Sequence, residues 1–360
     1  MQVFKSLDAF RGIAALMVVL FHSPFFSHDK PLLFTKADIF VDFFFILSGF
    51  VITHAYMARL QAGYSLKRYM QARLARLYPL HLIVLLLWLL YAGARYAIGL
   101  HINIDNSPFF MQNDLHALTT HLALVNAHGL DNHLSWNAPA WSIGAEFSCY
   151  VVFAVLTICL PKHMNKITFV VTLLVLCYFV IYITKPHTLL RTFDMGFVRA
   201  LGGFFTGVAI YKLRQHFLSM TLSKSKTVHN IVEITLITLM LGAVMYLSTN
   251  KIGQLVCFTV FAVTIFVFSF TSGFISSMLA LRLPQYLGQL SYSIYMTHML
   301  IIVVIHQSLT IFAPSLLQLN NSSALWLGIN LLLLTVVSGF SAITFKLIEE
   351  PCIKKWKPRH

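Results

Sequence analysis

Arg11 and His22 lie in one apolar run near the start of the chain, and their types and spacing could do chemistry. Eleven residues of helix turn about 1100°, so the two side chains fall within about 20° of one face and about 16 Å apart along the axis. Asp8 lies one turn before Arg11 on the same stripe. Ionisable groups aligned on an apolar helix are costly and mark a functional path by default. An imidazole there can serve as a general base, or as a nucleophile that carries an acyl group. Asp42 opens a second apolar run and is expected at a depth similar to His22. A carboxylate beside an imidazole fixes its tautomer and raises its basicity. The plainer reading of Asp42 is an interfacial residue in contact with water. Arg73 and Arg76 share a helix face just before Pro79, and two guanidiniums can grip phosphate in bidentate fashion. Taken alone, the same arginines are a topology signal.

Four further segments fit binding. Ser142 and Glu146 fall at i and i+4 after Trp141, and an intramembrane glutamate needs a partner or water. Trp141 also suits an interfacial anchor. Ser48-Gly49 is small enough to admit a ligand or a second helix. Arg199 precedes Gly203 and Gly207 at four-residue intervals, with Asp194 as a candidate partner. Ser291, Tyr295 and His298 form a polar stripe at i, i+4 and i+7, which faces either a cavity or a neighbouring helix.

The elements that must position these groups are membrane helices. The 360-residue chain is 58% hydrophobic and 11% charged, whereas soluble domains carry about 25% charged residues. The spacing predicts an all-α, polytopic bundle of about ten spans, at 8–26, 38–58, 77–99, 141–160, 167–184, 194–213, 230–248, 253–272, 288–309 and 324–346. The apolar stretch 115–127 is too short to cross and is expected to be interfacial or re-entrant. Basic residues cluster in alternate loops: Arg59, Lys67, Arg68, Arg73 and Arg76, then Lys162 and Lys166, then Lys212, Arg214, Lys224 and Lys226, then Arg282. The tail adds Lys354, Lys355, Lys357 and Arg359, while the opposite loops carry little beyond Lys30, Lys36, Lys185, Arg191 and Lys251. The bias puts both termini in the cytoplasm and accounts for the net charge of +14 without a nucleic-acid partner. Asp8 and Arg11 in the first run argue against a cleaved signal peptide, and one domain is expected over 1–360 with no fused extracytoplasmic domain. The five cysteines have no paired spacing. The long outer loop holds His101, His116, His121, His128 and His133 in no ligand-like spacing, so no metal site is expected. A connection of about 40 residues is expected to shape a site at the outer surface.

In order along the chain, these segments resemble the membrane-bound acyltransferase-3 family. The resemblance rests on Leu7-Asp8-x-x-Arg11-Gly12 followed by His22, and on Asp42-Phe43-Phe44-Phe45-x-Leu47-Ser48-Gly49-Phe50. It continues with Arg73-x-x-Arg76-Leu77-Tyr78-Pro79, Trp141-Ser142-x-x-x-Glu146, Ser291-Tyr292-x-x-Tyr295-x-x-His298 and Glu349-Glu350-Pro351. It implies a multi-pass enzyme of the bacterial inner membrane that moves an acyl group, usually acetyl, from cytoplasmic acyl-CoA to a hydroxyl of a saccharide or glycolipid, with no permanently bound cofactor. Lipopolysaccharide and exopolysaccharide are typical acceptors of the family.

Within that frame Arg11, Arg73 and Arg76 would hold the phosphates of CoA. His22, oriented by Asp42, would deprotonate the acceptor. Glu146 completes the catalytic candidates. Ser48, Trp141, Arg199, Tyr295 and His298 are candidates for binding the acceptor or the oxyanion. The lipid bilayer is the remaining expected partner, and a homo-oligomer is compatible with the sequence. The competing readings are a transporter or flippase for a lipid-linked glycan, and a glycan polymerase.

Overall fold

The computed structural model describes residues 4–26, 30–99, 113–184, 188–218, 225–270, 273–314 and 323–356. His101, Lys185, Lys224, Lys357 and Arg359 from the sequence reading lie outside them. Most of the described residues are helical, and there is no strand among them. Helices occupy all ten expected positions: α1 Lys5–His22, α2 Phe40–Gln61, α3 Leu66–Gly99, α4 Trp141–Cys159, α5 Ile167–Ile183, α6 Gly196–Phe217, α7 Lys226–Tyr246, α8 Lys251–Phe268, α9 Arg282–Phe312 and α10 Ser323–Thr344. Among the described residues, seven helices are long and apolar enough to cross a membrane, and α5 is a shorter apolar helix. The helices that carry Arg11 and Arg199, α1 and α6, fall outside that set.

One boundary differs from expectation. The third span was expected to begin near residue 77 with Pro79 in its first turn, but α3 begins at Leu66 and runs through Pro79. The segment 66–76 is helical yet too basic to read as a span, so hydropathy alone places the start a few turns late. Proline removes one ladder donor. Near this point the Tyr292 hydroxyl donates to the Leu77 carbonyl, tying α3 to α9.

The two most extensive helix contacts are α1 with α9 and α2 with α6. Both rest on glycine. A Cβ on Gly12 would come within 2.6 Å of the Leu287 backbone, and one on Gly288 would strike the Asp8 carbonyl. Across the other contact, a Cβ on Gly207 would collide with the Ile46 carbonyl, and one on Gly49 with that of Phe204. Backbones approach this closely only where side chains are absent. Around these crossings the core is aromatic, with Phe43, Phe50, Phe153, Phe204, Phe205, Phe261 and Trp88 buried. The outward faces of α5, α7 and α10 are apolar and exposed, as at Phe179, Ile231 and Leu332.

The loop before α4 contains the short helix Leu115–Leu122, capped by Asp114 accepting from the Ala117 amide at 2.7 Å. It is too short to span. Its histidines are tied separately. His116 faces Asp131 at 3.6 Å, His121 stacks on His81, and His128 stacks on Phe197. Burial pushes the His121 imidazole down to about 3, so it packs as a neutral ring.

Candidate active site

Helices α1 and α9 run side by side in the same direction and pair their polar stripes. Near one end the Arg11 guanidinium donates to Ser291 Oγ at 3.2 Å and to the Gly288 carbonyl at 3.4 Å. At the other end His22 meets His298, with Nδ1 and Nε2 at 3.2 Å. The glycine crossing at Gly12 and Gly288 brings the stripes into register. Asp8 stays beside Arg11 at 3.4 Å, one turn away, as the spacing implied.

Two connected cavities meet at the arginines. A wide mouth of about 860 Å³ is bounded by Asp8, Arg11, Arg59, Arg73, Arg76 and Lys354, among others. An inner chamber of about 130 Å³ lies deeper in the bundle. Arg11, Arg73 and Arg76 line both, with Val51 and Ile52, so they form the neck between them. Their counter-charges differ. Arg11 has Asp8, and Arg76 meets the buried Glu349 carboxylate at 2.9 Å. Arg73 pairs with no carboxylate among the described residues. Its guanidinium donates to the Tyr56 hydroxyl at 2.9 Å and lies over the Tyr56 and Tyr150 rings, with Nε unpartnered. Three guanidiniums converging on one opening repel one another, and an anion with several oxygens relieves that repulsion. Glu349 is the last residue of a π-helical turn, Phe345–Glu349, that follows α10 directly. Such turns re-aim a side chain, often at functional sites. The Ser293 hydroxyl donates to its second oxygen at 2.8 Å.

The chamber beyond the neck carries two hydroxyl relays. In one, the Tyr150 hydroxyl donates to Glu146 Oε1 at 2.6 Å and lies 3.2 Å from Ser48 Oγ. In the other, Ser142 Oγ donates to the Tyr295 hydroxyl at 2.8 Å, and that hydroxyl donates to the Pro139 carbonyl at 3.1 Å. The stretch Ala138–Ala140 before α4 aims that carbonyl inward. Asn137 holds it in place by donating to the Met296 carbonyl at 3.0 Å. The remaining walls are apolar, including Val41, Phe44, Leu47 and Ile143. Hydroxyl donors in an apolar chamber are suited to an oxygen that gains negative charge.

His22 and His298 do not line this chamber; Tyr295 connects the two regions, its ring 5.9 Å from Phe44 and 5.8 Å from His298. Backbone carbonyls assign the imidazole protons, since a carbonyl oxygen only accepts. His22 Nδ1 lies 3.0 Å from the Val18 carbonyl and therefore carries its proton. His298 Nδ1 lies 2.7 Å from the Tyr295 carbonyl and carries its own, which leaves His298 Nε2 as the acceptor toward His22. The His22 Nε2 lone pair has no partner among the described residues.

The expected His22–Asp42 pairing is corrected. Asp42 is buried, and both of its oxygens accept from Arg199, at 2.9 and 2.6 Å. The Val18 carbonyl takes the orienting role assigned to Asp42. Arg199 is 2% exposed, donates also to the Arg191 carbonyl at 2.9 Å, and lies over the Trp141 ring. Arg199 and Trp141 do not line the chamber, so the pair expected to bind substrate forms a buried brace between α2, α6 and α4. Asp194, the expected partner of Arg199, pairs with Arg191. Arg11, Arg73, Arg76, Ser48, Ser142, Glu146 and Tyr295 do come together around the chamber. Sequence reasoning missed the roles of Tyr56, Tyr150 and Glu349. Tyr150 stands four residues after Glu146, a spacing that was readable; Tyr56 and Glu349 reach Arg73 and Arg76 only through tertiary structure.

Residues 4–345 match the family described as "Acyltransferase domain". Protein 2 in picA locus of Rhizobium radiobacter is 36% identical over 166 residues, which cover 42% of this chain and 81% of that protein. An uncharacterized protein of Haemophilus influenzae is 28% identical over 233 residues, 59% of this chain and 89% of its own length. No solved structure matches the chain significantly. Because the match spans nearly all of a bundle of apolar helices with a polar chamber inside, the chain belongs to the acyltransferase-3 family of membrane proteins.

Proposed function

We propose that this protein is a multi-pass O-acyltransferase of the bacterial inner membrane. It takes an acyl group, acetyl foremost, from cytoplasmic acyl-CoA and places it on a hydroxyl of a cell-surface or lipid-linked saccharide. The observation that carries this reading is the arginine neck, which opens on one side into the wide mouth and on the other into the hydroxyl-lined chamber. The positive-inside bias turns that mouth toward the cytoplasm, where the donor is. Arg73, with no resident carboxylate, is the first anchor for a donor phosphate, and Arg11 and Arg76 add donors beside it. The narrow pantetheine arm suits the smaller chamber. Tyr295 or Tyr150, by turning its single O–H proton away from the Pro139 carbonyl or Glu146, then stabilises the thioester oxygen as it gains charge.

The acceptor hydroxyl gives its proton to His22 Nε2 and its oxygen attacks the thioester carbonyl carbon. The carbon–sulfur bond breaks, and the CoA thiolate leaves and takes up the proton. The acyl group reaches His22 past Tyr295 and Phe44. Transfer through an acyl-His22 intermediate follows the same route with one extra step. Detergent-purified protein incubated with radiolabelled acetyl-CoA should release CoA, and faster with acceptor present. A deletion strain should lose acetyl groups from its surface glycans by mass spectrometry. A flippase or a polymerase would leave acetyl-CoA untouched, and that result would overturn the reading.

A further inference from the structure

Helix α2 separates two cavities. Its residues Ile52, Ala55, Tyr56 and Arg59 face the donor mouth, whereas Thr53, His54, Met57, Ala58 and Gln61 face a second cavity of about 610 Å³. This second space is enclosed by the ends of α2 and α6 and the start of α5, and it shares no residue with the donor mouth or the chamber. Its lining offers hydrogen-bond donors, with the Lys212 ammonium, His54 and His216 among them, and no carboxylate. Lys212 Nζ donates once, to the Asn165 carbonyl at 3.1 Å, and pairs with no carboxylate among the described residues. An ammonium has three donors, so an anion can still be met. The segment that precedes α5 carries Lys162, His163 and Lys166, all exposed and outside the cavity lining.

The apolar part of the lining identifies an amphiphile and not a free ion. Ile167 lines the cavity and begins a four-residue series along α5, continued by Val171, Val175 and Phe179. These three are 41%, 53% and 55% exposed, an unbroken slanted stripe leading from the basic cavity down the side of the bundle. A basic pocket between helix ends that continues into an exposed apolar track has the shape and polarity of one glycerophospholipid. We propose that this cavity binds the phosphodiester headgroup of an anionic glycerophospholipid, whose acyl chains lie along the Ile167–Phe179 stripe. The site is independent of the acyl-transfer reading, because α2 stands between them.

The test uses the purified full-length protein, with dioleoyl phosphatidylglycerol, dioleoyl phosphatidylcholine and inorganic phosphate as probes. Native mass spectrometry and thermal unfolding are the readouts. Phosphatidylglycerol should be retained roughly tenfold better than phosphatidylcholine and should raise the unfolding midpoint, since one charge-assisted contact is worth about a factor of ten or more. The pair Lys212→Ala with His216→Ala should bring that ratio to about one. Lys212→Gln, which keeps a hydrogen-bond donor but removes the charge, should lower it with the fold intact. Equal retention of the two lipids, or an unchanged ratio in a folded Lys212→Gln protein, overturns the proposal. So does stabilisation by inorganic phosphate equal to that by phosphatidylglycerol, which would assign the cavity to a soluble anion.

Discussion

His22 Nε2 can accept a proton because the Val18 carbonyl holds the other imidazole nitrogen in its protonated form. Replacing His22 by Ala should lower acyl transfer by about 10²–10⁴ while leaving donor affinity intact, as removal of a general base does. Initial rates with acetyl-CoA and acceptor check this, and a near-normal rate rules the base out. Asp42 belongs to a different device. Its oxygens are held by Arg199 in a site where the two side chains are 0% and 2% exposed. Asp42→Asn leaves a buried guanidinium without its counter-charge, which costs about 3–5 kcal/mol. The expected outcome is a lowered unfolding midpoint with an unchanged pH–rate profile in whatever protein remains folded. A double-mutant cycle should couple Asp42 to Arg199 and not to His22. The place of Asp42 in the first turn of α2 was legible from the apolar run. The direction of its side chain was not, because that depends on how α2 is rotated against α1 and α6.

At the scale of helices, the glycine crossings set these rotations. Gly207→Ala would push a methyl group into the Ile46 backbone, where overpacking costs about 1–3 kcal/mol. Unfolding should shift accordingly, and an unshifted midpoint would show that α2 and α6 can part freely. The π-helical turn after α10 places Glu349 on Arg76. Glu349→Gln keeps the shape and the Ser293 bond but removes the charge that holds Arg76 in position. It should raise KM for acetyl-CoA several-fold with kcat nearly unchanged, as loss of binding remote from the reacting carbon does. A fall in kcat at constant KM would place Glu349 in the chemistry instead. Hydropathy located a helix at each of the ten runs, but among the described residues only seven are long and apolar enough to cross a membrane. It misplaced the start of α3, where residues 66–76 are helical but basic. It was blind to the π turn, which leaves no periodic signature over one turn.

For the molecule as a whole, the proposed function puts the donor entrance at the basic end and the acceptor beside His22. The helix order brings Arg11, Arg73 and Arg76 together from two helices far apart in sequence. Motif spacing put Arg11 on one helix and Arg73 with Arg76 on another, and only the fold shows that they share one opening. The claim that this opening receives the donor is tested most directly by calorimetric titration of acetyl-CoA into the purified protein and two variants, Arg73→Ala and His22→Ala. The account predicts saturable binding to the unsubstituted protein and to His22→Ala, and binding weakened at least tenfold in Arg73→Ala, which Lys at that position restores poorly. Undiminished affinity in Arg73→Ala, or no binding by the unsubstituted protein, would contradict it.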